Sequence, residues 1–225
     1  MINLINKYKN IILLSIGLLL IIISIILIGY DRIELIKSNV FDEVELLKYK
    51  ENNKKEQENI IDNEDIIDDI DTDIINDENN IKKTTINKRE YIGYLEIKKI
   101  NLRQGLVSKN SYYNNVNYNI QIIKSSNYPN EENGNVILAA HSGTSSISYF
   151  KNLYKLEIND EAKIYYKGKI YTYRVNNIYN VPKTGVVIIK RDIYKKTLTL
   201  ITCTKNSNTE QTVYVLNLIS EESDN

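Results

Sequence analysis

The chain has one cysteine, Cys203, and one histidine, His141. Together they form the smallest set that can do thiol chemistry. A free thiol titrates near pH 8.5, so at neutral pH it needs a nearby base or cation to be substantially ionised. An imidazole can supply that help and later deliver a proton to a leaving group. Each residue alone has a plainer reading. A lone Cys after an apolar run is commonly a small buried hydrophobe, and a lone His is commonly a hydrogen-bonded structural residue. What singles out this pair is that both sit in the same kind of place. His141 follows "NVILAA" and precedes "SGTSS"; Cys203 follows "TLTLIT" and precedes "KNSNT" after one threonine. Both therefore stand where an apolar strand runs out into a polar loop, the position from which a rigid scaffold presents side chains to solvent.

The elements that must hold them are short and β-rich. From Tyr91 onward the chain reads "YIGYLEI", "NVILAAHS", "EAKIYYKGKIYTYRV", "GVVIIK", "TLTLITC" and "QTVYVLNL", separated by polar or Gly-containing turns. Lys167-Gly168 marks a hairpin. One helical candidate, "SISYFKNLYKL", spaces Ile147, Phe150, Leu153 and Leu156 along a single apolar face. Many short strands with one or two short helices predict an all-β barrel or sandwich over residues 89–221.

Composition narrows the function. Lys+Arg and Asp+Glu are both 29, so the net charge is zero, against a nucleic-acid binder. One cysteine forms no internal disulfide and no thiolate-rich zinc site. No cofactor or metal is expected; calcium activation is left open.

Residues 11–29, "IILLSIGLLLIIISIILIG", are uncharged and about long enough to cross a bilayer. Lys7 and Lys9 precede them, which by the positive-inside tendency places residues 1–10 in the cytoplasm and the rest outside. The rival reading, a cleaved signal peptide, calls for a shorter apolar run and a small-residue cleavage site. We expect a single-pass anchor in the cell membrane. Residues 30–88 are a charged extracellular spacer, and residues 31–88 hold neither Pro nor Gly. Its acidic run "IIDNEDIIDDIDTDIIND" has isoleucines at helical steps, but lacks the Gly and terminal Glu of an EF-hand loop. A solvated stalk is favoured there over a lid or calcium patch.

These residues carry a resemblance. "GYLEIKKINL", "NYPNEENGNVILAAHS", "SYFKNLYKLEINDEAKIYYKGKIYTYRV" and above all "LTLITC" resemble the sortases, membrane-anchored cysteine transpeptidases of Gram-positive bacteria, over roughly residues 91–218. Three positions depart from that pattern: Lys98 or Lys99 stands for a proline, Ala140 for a glycine, and Asn159 for a glycine. The resemblance implies a closed eight-stranded β-barrel with His141 and Cys203 side by side. It implies cleavage of a Leu-Pro-x-Thr-Gly-like sorting signal of surface proteins between Thr and Gly, with Cys203 as nucleophile and His141 as proton donor. The acyl group would pass to an amine of a peptidoglycan precursor or another acceptor. Thr202 and Ala140, beside the pair, are the expected substrate contacts. The short segment 182–196 leaves no room for a class B helix, and the spacer has no Asp-Pro-aromatic lid motif. The resemblance is therefore to class A-like or D-like members.

The family also places an arginine on the strand after the nucleophile. Here that position holds Gln211, and no arginine follows Arg191. A Gln amide has two N–H donors but no charge. Three readings stay open: Gln211 is the third catalytic residue as a neutral donor, Lys205 or Arg191 takes the place, or the protein is a non-catalytic, membrane-anchored β-domain that binds peptide or cell wall. A peptidase that releases the thioester to water is a further enzymatic alternative. "VPKTG", residues 181–185, looks like a sorting signal but reads more simply as turn chemistry.

Overall fold

A computed structural model describes residues 8–9, 13–26, 43–53 and 89–224. The chain divides into two compact units, Met1–Val44 and Glu45–Asn225. In the first, helix α1 covers residues 13–26. At 1.5 Å per residue it spans about 21 Å. Among the described residues no helix is long and apolar enough to cross a membrane. The outer residues of the expected span, 11–12 and 27–29, lie outside the described residues, as does the acidic run of the spacer.

The second unit is the expected barrel. Its eight strands are β1 (Tyr91–Ile97), β2 (Leu102–Val107), β3 (Gln121–Ile122), β4 (Asn135–Ala139), β5 (Glu161–Tyr166), β6 (Lys169–Pro182), β7 (Thr197–Cys203) and β8 (Glu210–Ser223). They form one sheet in the order β2-β1-β5-β6-β8-β7-β4-β3. All pairings are antiparallel except β4 with β7. The two outer strands, β2 and β3, approach each other and nearly close the barrel. The interior is filled by alternate residues of each strand, among them Leu95, Ile164, Tyr173, Leu198, Leu200 and Leu216, all at most 1 % exposed. Burial pushes the Tyr171 hydroxyl up to about 12, so it stays neutral in the core.

The hairpin expected at Lys167-Gly168 joins β5 to β6. Both residues have positive φ, 49° and 67°, as a two-residue turn of matching twist requires. Two expectations are corrected. The segment 146–156 is not an α-helix but a series of turns leading into a 3-10 helix at Leu153–Lys155. Its apolar residues recur in strict threes, the repeat of a 3-10 helix and not of 3.6. Phe150, Leu153 and Leu156 are still buried. The run "GVVIIK" is not a strand either; it lies in the β6–β7 connection, with Val186 and Ile188 72 % and 71 % exposed. That connection is held back by Tyr179, whose hydroxyl donates to the Ile188 carbonyl (2.9 Å) and accepts from the Lys190 N–H (2.8 Å).

Inside the segment read as spacer, helix α2 covers residues 43–53. From Glu45 on it belongs to the barrel unit. Leu46 and Tyr49 pack with Tyr91, Tyr94 and Val107, and the Tyr49 hydroxyl accepts the Lys167 N–H at 2.9 Å. Part of the spacer is therefore docked on the barrel.

Candidate active site

The parallel pair β4–β7 is what positions the two reactive residues. Its register runs from Asn135↔Thr197 to Ala139↔Ile201. Two places further on, His141 comes level with Cys203. Three hydrogen bonds hold the strands together beyond the last ladder pair. The Ala140 N–H donates to the Ile201 carbonyl at 3.3 Å. The Thr202 hydroxyl donates to the Ala140 carbonyl at 2.8 Å, and the Ser142 hydroxyl to the Cys203 carbonyl at 2.9 Å. The two strand ends are thus clasped just where the reactive side chains begin.

Strand alternation sorts the neighbours by face. Val136, Leu138 and Ala140, with Leu198 and Leu200, belong to the barrel core. Ala140 is packed there, 5 % exposed, and does not line the cavity at this end of the barrel. Thr202, also 5 % exposed, does reach the cavity wall. Cys203 has the opposite parity, with Thr199 and Ile201, and is half-buried. Gln211 is its direct partner across the β7–β8 ladder, so both face the same side of the sheet. On its other flank Gln211 pairs with Val181 of β6. Gln211 does not line the cavity.

The cavity has a volume of about 680 Å³ and is lined by His141, Cys203, Thr202, Thr212, Tyr154 and Lys205, among others. His141 is half-buried, its Nε2 3.4 Å from the Asn117 Oδ1. Lys205 sits over the Tyr154 ring, 3.5 Å from its centroid, a cation–π contact. Arg191 is elsewhere: its guanidinium donates to the carbonyls of Asn133 (3.1 Å) and Lys195 (3.2 Å) and to the Thr197 hydroxyl (3.4 Å). Those residues lie at the far end of β4 and β7, some 20 Å from Cys203 at about 3.3 Å per strand residue. The cation beside the thiol is Lys183, with Nζ 3.7 Å from Sγ. Among the described residues no group of three His, Cys, Asp or Glu side chains could hold a metal ion.

The chain matches the family model described as a sortase domain over residues 95–219, more than half of its length. It belongs to the sortase family. Among solved structures it is similar to a sortase D5 transpeptidase of Clostridium perfringens, at 26% identity and a TM-score of 0.50, over 58% of this chain and 80% of that one. The fold is shared with a lid mutant of sortase A from Corynebacterium diphtheriae (21% identity, TM-score 0.53, 59% of this chain and 72% of that one). It is shared also with sortase A of Listeria monocytogenes (21%, 0.50, 59% and 90%). No curated protein matches the chain.

The expected sortase barrel is present, and the sequence-predicted Cys203, His141, Gln211 and Thr202 fall at one end of it. Two residues at this end were not anticipated, Asn117 and Lys183. Lys183 was visible only as part of "VPKTG", which the structure makes a turn: the Thr184 N–H donates to the Pro182 carbonyl at 2.9 Å, and Gly185 has φ 84°.

Proposed function

We propose that this sortase is a membrane-anchored cysteine transpeptidase that acts on Leu-Pro-x-Thr-Gly-like sorting signals. The observation that carries the reading is the β4–β7 register, which brings the single histidine level with the single cysteine at the rim of one cavity. In this reading the Cys203 thiolate attacks the Thr carbonyl carbon. The Thr–Gly C–N bond breaks, and the Gly amine leaves with a proton from the His141 imidazolium. The Gln211 amide donates to the oxyanion that forms in between. An acceptor amine then attacks the thioester and gives its proton to the neutral His141; a new C–N bond forms, the C–S bond breaks, and the thiolate and the imidazolium are regenerated. Residues 11–29 would anchor the enzyme at the surface that also holds both substrates, raising their effective concentration.

No metal or cofactor enters this scheme. The competing reading, a peptide- or wall-binding domain without turnover, is favoured only by Gln211 at the arginine position. Losing one oxyanion donor costs about 100- to 1,000-fold in enzymes that rely on it, so slow turnover is expected. The test is incubation of the full-length protein with a pool of such peptides plus triglycine as acceptor. The expected product is the N-terminal fragment joined at Thr to triglycine. Neither cleavage nor transfer across the pool, by a protein whose thiol is intact, overturns the proposal in favour of the binding domain.

A further inference from the structure

We propose that Lys183 is a second cation of this active site, beside the His141 imidazolium: its ammonium favours Cys203 as the thiolate, while Gln211 provides only neutral hydrogen bonds. The proposal rests on the transpeptidase reading for its purpose, but its evidence is separate.

The sheet order puts β8 between β6 and β7. Val181, Gln211 and Cys203 form one row across the three strands. Lys183 is two residues beyond Val181, so it leaves the sheet on the same face. Its backbone is fixed there, because the Lys183 N–H donates to the Thr209 carbonyl at 2.8 Å. The chain turns away at Lys183 itself, where the Thr184 N–H donates to the Pro182 carbonyl at 2.9 Å. From this point the side chain reaches across β8, past the Gln211 row, and brings Nζ within 3.7 Å of Sγ.

Lys183 is also uncommitted. Lys99, Lys169 and Lys196 each pair with a carboxylate. Among the described residues Lys183 makes no ion pair, and its one side-chain contact of this kind is the sulfur. Lys205 covers Tyr154, and Arg191 ties together the opposite end of the strands; Lys151 also lines the cavity, but the ammonium in contact with the sulfur is that of Lys183. The charge missing from β8 is thus supplied from β6, on the neighbouring strand. A lysine suits this task. It presents a compact point charge on a flexible stem, which serves a thiolate well, and it does not reproduce the planar fork of an arginine.

The test is the second-order rate of Cys203 alkylation by iodoacetamide at pH 7 and low salt, in the full-length protein. It needs no peptide, so it stands apart from the transpeptidase question. An opposite charge at this distance favours an ionised form, at an exposed site by about fivefold or less, and part of that gain is offset by the lower nucleophilicity of a more acidic thiol. Lys183→Met is expected to slow alkylation roughly two- to threefold and Lys183→Glu more, with Lys183→Arg staying close to wild type. At 1 M salt, where the screening length is about 3 Å, wild type should fall towards Lys183→Met. Gln211→Arg should make Lys183→Met nearly silent, because the row then carries its own charge. Lys183 is exposed, so unchanged melting curves will separate these effects from misfolding. Equal rates for wild type, Lys183→Met and Lys183→Glu would overturn the proposal, even if wild type proves an active transpeptidase. A wild type that transfers no peptide but still loses alkylation in Lys183→Met would sink the transpeptidase reading and leave Lys183 as the thiolate's partner.

Discussion

The outward row of β7, Thr197, Thr199, Ile201 and Cys203, runs between two ends of the same strand pair, and the ends differ in how their polar groups are satisfied. At the Thr197 end the buried hydroxyls are paired, although the Oδ1 of Asn217, opposite Thr197 on β8, is buried without a partner. Asn135, 5 % exposed, accepts with one Oδ1 from the hydroxyls of Thr197 (3.0 Å) and Thr199 (2.9 Å), both fully buried. Arg191 caps the cluster from the β6–β7 connection. At the Cys203 end the strands are clasped by backbone and hydroxyl bonds, but Cys203 and His141 are half-buried over a cavity and have long contacts only, at 3.7 and 3.4 Å. The difference is one of access: the Thr197 hydroxyl cluster is sealed from solvent, whereas the two half-buried side chains over the cavity are open to a ligand.

Substitutions at the two ends should separate rate from stability. The largest effect is expected from His141→Gln, which removes the proton donor. Transpeptidation should fall about 100- to 10,000-fold, while the melting temperature moves little; a large drop in stability would make His141 a structural residue. Next is Asn135→Ala, which strips the acceptor from two buried hydroxyls. The expected loss is about 2 to 4 kcal/mol, read as a fall in Tm of roughly 10 °C, with the alkylation rate of the folded protein unchanged. Arg191→Met should cost about 1 kcal/mol and leave alkylation within twofold of wild type. A strong effect on alkylation would mean that Arg191 does act at the thiol. The smallest effect concerns Glu131, which shapes the turn entering β4. Hydrogen bonds from the Asn127 amide and the Tyr128 N–H hold its carboxyl below the usual range. A depressed folded-state value means stability that is present above the ordinary carboxylate pKa and lost as pH falls through the folded one. Glu131→Gln should therefore lower Tm at pH 7, with the difference from wild type fading below about pH 4.

How much of this was legible in the sequence follows from which contacts are local. "NVILAA" announces itself as a strand covered on both faces by its near-continuous apolar run, and "TLTLIT" by β-branched residues alternating with leucines, its threonines being buried as well. The Lys167-Gly168 hairpin is equally local. That His141 and Cys203 share one cavity is implied in the sequence by the family resemblance alone, since a parallel pairing between distant segments leaves no local mark. Lys183 was out of reach for the same reason: its place depends on the register of three strands at once. "GVVIIK" misled because its residues suit a strand, whereas Tyr179 pins it in the connection. The docking of α2 has no mark in the composition of its spacer, which looks solvated; Leu46 and Tyr49 pack on the barrel's tyrosines, and Lys50 lies over the Tyr94 ring.

The most direct test of the account is the intact mass of the full-length protein after incubation with Leu-Pro-x-Thr-Gly-like peptides and no acceptor. The account predicts an added acyl mass that hydroxylamine removes and that is absent from Cys203→Ala. No adduct across a broad peptide pool, in wild type and in Gln211→Arg alike, while iodoacetamide still modifies Cys203, would contradict it.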